Sequence, residues 1–139
     1  MRIKPAYDKP TWLAFPTNGA RDIGYLTVAA SGNGVPFEIR RVFWTYFTPN
    51  EVTRGRHAHY QTEMVIIAVH GRIHLKAELL SGETFEFYLE KPTQGVYLPP
   101  LCWHVMEYSH DAVQVVLAST EFAASDYIRS YKDFRLLSK

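Results

Sequence analysis

A chain of 139 residues and 16.0 kDa has the length of one domain with one hydrophobic core. Hydrophobic residues make up 47% and charged residues 21%, which excludes a disordered polymer and leaves a packed globular protein. A net charge of +1, with no run of Lys or Arg, gives no footprint for nucleic acid or an anionic membrane surface. Cys102 is the only cysteine, so neither an intrachain disulfide nor a thiolate metal cluster can form. Residues 1–12 lack the apolar stretch of a secretory signal, and no apolar run approaches a membrane span; a cytoplasmic protein is expected.

In chain order, residues 1–20 are rich in turn formers (Pro5, Pro10, Pro16, Asn18-Gly19) and read as an extended arm with one short edge strand. A short strand follows at 25–29, then a turn at Ser31-Gly32-Asn33-Gly34. Residues 38–47 are strongly β-prone, with Ile39, Arg41, Phe43, Thr45 and Phe47 on one face and Glu38, Arg40, Val42, Trp44 and Tyr46 on the other. Neither face is cleanly apolar, as in a strand that lines a polar cavity.

After a loop at 48–53, a histidine-bearing strand is expected to run on to Val69 and turn at His70-Gly71. Residues 72–79 alternate well, Ile73, Leu75, Ala77 and Leu79 against Arg72, His74, Lys76 and Glu78. Ser81-Gly82-Glu83 signals a hairpin that returns over 84–89. Strands at 96–100, 103–108 and 112–118 follow, and the spacing of Tyr127, Ile128, Tyr131 and Phe134 suggests a short capping helix within 125–137. Roughly seven to nine strands with turn signals between them make an all-β sandwich or barrel, in a single domain spanning 1–139.

Arg54-Gly55-Arg56-His57-Ala58-His59 is the stretch around which the chain is organised. Two histidines at i and i+2 on a strand share a face, with their side-chain origins roughly 6 to 7 Å apart, so both can meet one small ligand or one ion. Arg41 and Arg54 are candidates for an anionic group or for polarising a carbonyl oxygen, since guanidinium forks suit phosphate. Trp44, Tyr46 and Tyr97 are candidates for stacking on a base or sugar, and His104 for lining the same pocket. By parity Glu63 faces the same way as His57 and His59, and an alternative role for it is only to orient one of them. His70, His74 and His110 fall at turns or exposed strand positions and receive no role.

Two blocks, His57-x-His59-x-x-x-Glu63 followed by Gly71, and Gly95 with Pro100 and His104, resemble the paired motifs of the cupin superfamily. That resemblance implies a jelly roll, and in metal-binding cupins the positions of His57, His59, Glu63 and His104 hold a divalent ion, a donor set suited to Fe, Mn, Zn, Ni or Cu. A closer resemblance covers about residues 22–137. Pro36-Phe37-x-Ile39-x-Arg41-Val42, Arg54-Gly55-x-His57-Ala58-His59, Trp103-His104-x-Met106, Val116-Leu117-Ala118-Ser119 and Asp126-Tyr127-Ile128-Arg129-x-Tyr131-x-x-Phe134 together look like the dTDP-sugar 3,4-ketoisomerases, the WxcM-like cupins.

The resemblance implies a cupin-type jelly roll with a short C-terminal helix, a homodimer that exchanges N-terminal strands, and no metal or other cofactor. It implies a dTDP-linked 4-keto-6-deoxyhexose as substrate and no nucleic-acid or membrane partner. His57 and His59 are then the catalytic pair, with Arg41, Arg54, Trp44, Tyr46, Tyr97 and His104 around the substrate. His59 is assigned the carbon proton and His57 the oxygen proton, an assignment that can equally be exchanged. The chain departs from the family at Tyr60, where lysine is usual, at Ile23, where an arginine is lost, and at Phe43-Trp44, where tyrosine is usual. Other readings of the same residues are a metal-dependent cupin such as a dioxygenase, a sugar 3,5-epimerase, and a non-catalytic sugar-nucleotide-binding module.

Overall fold

The computed structural model describes residues 4–138, so the first three residues of the expected arm lie outside it. The N-terminal part carries β1 (Thr11–Ala14), β2 (Thr17–Ala20), β3 (Gly24–Thr27), β4 (Ala30–Ser31) and β5 (Gly34–Val35). Four longer strands follow, β6 (Arg41–Tyr46), β7 (Thr53–His59), β8 (Met64–His70) and β9 (Ile73–Leu79). Then come β10 (Thr84–Leu89), β11 (Gln94–Leu98), β12 (Cys102–Tyr108) and β13 (Val113–Ala118). The chain ends in a 3-10 turn (Ala124–Asp126), β14 (Tyr127–Ile128) and the helix α1 (Tyr131–Leu136).

Two five-stranded sheets, in the orders β1-β11-β8-β13-β6 and β10-β9-β12-β7-β14, face each other across the main apolar core. All the pairings within them are antiparallel. This is a jelly roll, as the sequence implies. Ile73, Leu75 and Ala77 of β9 point into the core while Lys76 faces water, the alternation of a half-buried strand. Each such side chain contributes roughly 1.5 to 3 kcal/mol by leaving water. In β8, by contrast, Met64 to Ala68 are all buried. Ile66 and Ala68 face the inter-sheet core, and Val65 and Ile67 lie under a second layer formed by Phe15, Val35 and Phe37. That second layer is the N-terminal segment, whose β1 pairs with β11 of the same chain at the sheet edge.

The expected continuous histidine strand is in fact two. β7 belongs to one sheet and β8 to the other, and residues 60–63 carry the chain between them. The C-terminal segment ties this corner down: Tyr60 N–H donates to the Asp126 carbonyl (3.0 Å), and Gln61 N–H to an Asp126 carboxylate oxygen (2.8 Å). The Thr62 hydroxyl donates to the other Asp126 oxygen. Turning from β8 to β9 requires Gly71 at φ 73°, where a Cβ would stand 2.6 Å from the Ala112 Cα. Only glycine fits there.

The expected C-terminal helix is shorter than its apolar spacing suggested. Tyr127 and Ile128 form β14, paired with His59 and Ala58 of β7. The helix starts after Ser130, whose hydroxyl accepts the Asp133 N–H at 3.2 Å. Phe134 then packs with Ala58 and Ile128 beneath Trp103. No helix of the described residues is long and apolar enough to cross a membrane.

Candidate active site

A β-bulge builds the site. In the β7–β12 pairing His57 faces His104, Gly55 faces Val105 and Arg54 faces Met106, so Arg56 is one residue too many. Gly55 (φ 86°) and Arg56 (φ 59°) both adopt left-handed backbone, and a Cβ at Gly55 would meet the His104 carbonyl oxygen at 2.8 Å. The extra residue shifts the side-chain parity. Cross-strand partners share a face, so Arg54 lies on the inward face with His57 although two residues separate them. Burial pushes the nearby Tyr108 phenol up to about 12 despite the opposing pull of the Arg54 charge.

The rings of His57 and His59 lie 5.0 Å apart and nearly perpendicular, and that of His104 lies 4.6 Å from His57 and 6.0 Å from His59. His57 Nδ1 is 3.0 Å from the Gly55 carbonyl oxygen and His104 Nδ1 is 3.1 Å from that of Cys102. A carbonyl can only accept, so both Nδ1 atoms carry the proton, and the neutral rings present Nε2 as a lone pair. Desolvation lowers the pKa of His59 to about 4, helped by the charge of His57 and opposed by Asp126. Desolvation also lowers His57, with Arg129 and Arg41 adding to it against the Gly55 hydrogen bond, and it holds His104 well below 6.5. Three neutral imidazoles therefore stand together near pH 7.

Arg41 reaches the cluster from β6. Its Nη1 donates to the Tyr127 hydroxyl at 3.3 Å, and its guanidinium lies over Phe43 and Phe122 at 5.4 and 5.7 Å. The Tyr127 ring sits 5.1 Å from His57 and 4.5 Å from His59, with the Arg129 guanidinium 4.3 Å from its centroid. Among the described residues, two buried side-chain polar atoms lack a hydrogen-bond partner, Arg41 Nε and His59 Nε2. Both belong to this cluster. An orphaned buried polar atom is costly, and its usual explanation is an absent ligand or water. Tyr127 and Arg129 stand in the family motif of the sequence but receive no site role there, because their stretch reads as helix. The usable signal was Ser130-x-x-Asp133, a helix start three residues after Tyr127.

Three expected ligand contacts lie elsewhere. Trp44 and Tyr46 project from the face of β6 opposite to Arg41 and are 61% and 56% exposed. Tyr97 is fully buried, its hydroxyl donating to Glu63 at 2.6 Å. Glu63 also accepts the Ala6 N–H at 2.9 Å, while its own N–H bonds the Ser119 hydroxyl at 2.8 Å. The parity that joined Glu63 to the histidines assumed an unbroken strand, and the corner at 60–63 removes it. The residues therefore do not fit the four-ligand metal arrangement, and among the described residues no group of three or more His, Cys, Asp or Glu is placed to hold an ion.

Two facing antiparallel sheets with an imidazole cluster on the inner face of one define a cupin-type jelly roll. The family model "FdtA: WxcM-like, C-terminal" matches residues 8–139, and the chain belongs to that family. It is 36% identical over 114 residues, 81% of each chain, to the TDP-4-oxo-6-deoxy-alpha-D-glucose-3,4-oxoisomerase of Aneurinibacillus thermoaerophilus. It is also similar to the solved structure of WlaRA, a TDP-fucose-3,4-ketoisomerase from Campylobacter jejuni. That match has 29% identity and a TM-score of 0.86 over 94% of this chain and 96% of the other. QdtA, a sugar 3,4-ketoisomerase from Thermoanaerobacterium thermosaccharolyticum solved with TDP, matches at 27% identity and a TM-score of 0.88, covering 94% and 95%. A histidine-to-asparagine variant of QdtA has been solved with TDP-4-keto-6-deoxyglucose.

Proposed function

We propose that this protein is a TDP-sugar 3,4-ketoisomerase that converts TDP-4-keto-6-deoxyglucose into a TDP-3-keto-6-deoxyhexose. The observation that carries this reading is the cluster itself: three neutral imidazoles with Arg41, holding two unsatisfied buried nitrogens. The reaction needs no external oxidant, because C3 is oxidised from alcohol to ketone while C4 is reduced from ketone to alcohol. A base removes the C3 proton, the C3–H electron pair becomes a C3=C4 double bond, and the carbonyl pair moves onto O4. The enediolate then gains a proton at C4 while a proton passes from O3 to O4.

The geometry supports the exchanged assignment of the histidine pair. His57, with its proton fixed on Nδ1 by Gly55, offers a free Nε2 lone pair and is the base for carbon. His59, buried and neutral with an unpaired Nε2, serves the oxygens, where a weakly basic imidazole is an effective donor and shuttle. His104 packs against both rings and lines the site. Arg41 supplies positive charge beside the developing oxyanion, and Arg54, on the same inward face but exposed, is the candidate for the diphosphate.

Proton NMR of TDP-4-keto-6-deoxyglucose with chelator-treated protein tests this reading. A 3-keto product is expected, and the coupling at its C4 proton identifies the epimer; an unchanged spectrum would leave a binding module.

The enzyme acts as a homodimer; β1 stays paired with β11 of its own chain, so any N-terminal contribution to the partner falls to the β2–β3 hairpin. The β2–β3 hairpin exposes Ile23, Tyr25 and Leu26, and the sheet-edge strand β6 exposes Val42, Trp44 and Tyr46. Both surfaces call for a partner. A 16.0 kDa species in gel filtration would count against the dimer. A cytoplasmic location suits Cys102, a buried free thiol.

A further inference from the structure

We propose that Tyr127 is a further catalytic residue of this site, its phenol donating a hydrogen bond to the enediolate oxygen that forms as the C3 proton leaves. The role rests on the ketoisomerase reading above. Tyr127 is placed where such a donor belongs, against both His57 and His59 at ring separations of 5.1 and 4.5 Å. Its oxygen already accepts from Arg41 Nη1, so its own hydrogen is not spent on that bond, and among the described residues it has no acceptor. The Arg41 contact also polarises the O–H. Arg41 itself is held over Phe43 and Phe122, so the phenol extends the reach of its charge toward the imidazoles.

The segment is built to hold this ring still. Tyr127 pairs with His59 along the backbone, Asp126 bonds the Gln61 amide and the Thr62 hydroxyl, and Ile128 is buried with Ala58 and Phe134. The Arg129 guanidinium over the same ring adds a second positive charge. The chemistry requires such a group: weakly basic imidazoles can remove a proton from carbon only if the oxyanion is well stabilised. Tyr127 keeps its proton throughout. The C3–H pair becomes the C3=C4 bond, the C4=O pair goes to O4, and the phenol O–H meets that charge.

A ring that only packs against the histidines would serve as well without its hydroxyl, which makes Tyr127→Phe the deciding variant. In the full chain kcat is expected to fall about 10²- to 10³-fold, the usual cost of one oxyanion donor, with KM changed less than about threefold. Deuterium wash-in at C3 should fall in parallel. Turnover within about fivefold of wild type, or a loss carried by KM alone, would overturn the role. Should Tyr127→Phe fail to fold, 3-fluorotyrosine at position 127 keeps both ring and hydroxyl while acidifying the phenol. The more acidic donor is expected to raise deuterium wash-in at C3 with KM unchanged, and a rate identical to wild type overturns the role. Wild-type protein is assayed first; if it forms no 3-keto product, the ketoisomerase reading fails and this role with it.

Discussion

Two buried polar clusters lie either side of the corner at residues 60–63, and they are built on opposite principles. Glu63, Tyr97 and the Ala6 amide form a closed set in which the carboxylate takes both donors. His57, His59, His104 and Arg41 form an open set, with nitrogens left over at Arg41 Nε and His59 Nε2. A closed set stabilises the fold, since each buried polar atom has its partner. An open set costs stability and persists because something else completes it. The metal-cupin reading merged the two by counting Glu63 with the histidines; the structure separates them.

Breaking the open cluster should affect turnover most. On the proposed reading His57→Asn removes the carbon base and should lower kcat by about 10³-fold, within the usual range for a positioned acid–base group. Steady-state kinetics on a variant that retains its wild-type melting temperature measures this.

A smaller effect comes from acid. His59 binds its proton near pH 4 when folded and near 6.5 when unfolded. Between those values the unfolded chain holds more protons, so stability falls as pH drops from 6.5 toward 4. The contribution is on the order of 3 kcal/mol for this one group, and His57 and His104 act in the same direction. Urea midpoints at pH 7 and pH 4.5 should differ accordingly, and His59→Gln should reduce the difference. Activity should persist at pH 6 and fail as the imidazoles become charged.

The closed cluster should respond the other way. Glu63→Ala strands the Tyr97 hydroxyl and the Ala6 amide and should cost about 2 kcal/mol of stability. In the folded variant kcat should stay within about twofold of wild type. A collapse of turnover without loss of stability would restore Glu63 to the chemistry. Exhaustive chelation should have the smallest effect, leaving turnover unchanged.

Much of this was legible in the sequence. Strands β9, β10, β12 and β13 follow their alternation, and His57, His59 and His104 share the inner face of one sheet, with Arg41 reaching them from the sheet opposite. The errors came where local pattern met tertiary placement. Residues 54–69 read as one strand because β8 is buried on both faces and so loses the period-two signal that would have exposed the corner. That error carried Glu63 into the site by parity. Tyr127 received no site role because Tyr127, Ile128, Tyr131 and Phe134 also fit helical spacing, and only pairing with β7 makes the first two a strand. Trp44 and Tyr46 were on the correct face of the expected strand, but that face points outward. Arg54 reaches the inner face through a bulge that needs Gly55, which a count by twos cannot reveal.

On the proposed reading the imidazole of His57 takes the C3 proton. The most direct test is NMR in D2O of TDP-4-keto-6-deoxyglucose with wild type, His57→Asn and His59→Asn, following deuterium at C3 of recovered substrate and C4 of product. Label and 3-keto product are expected with wild type, neither with His57→Asn, and slow C3 labelling without efficient ketone transfer with His59→Asn. C3 labelling at the wild-type rate in His57→Asn would contradict it.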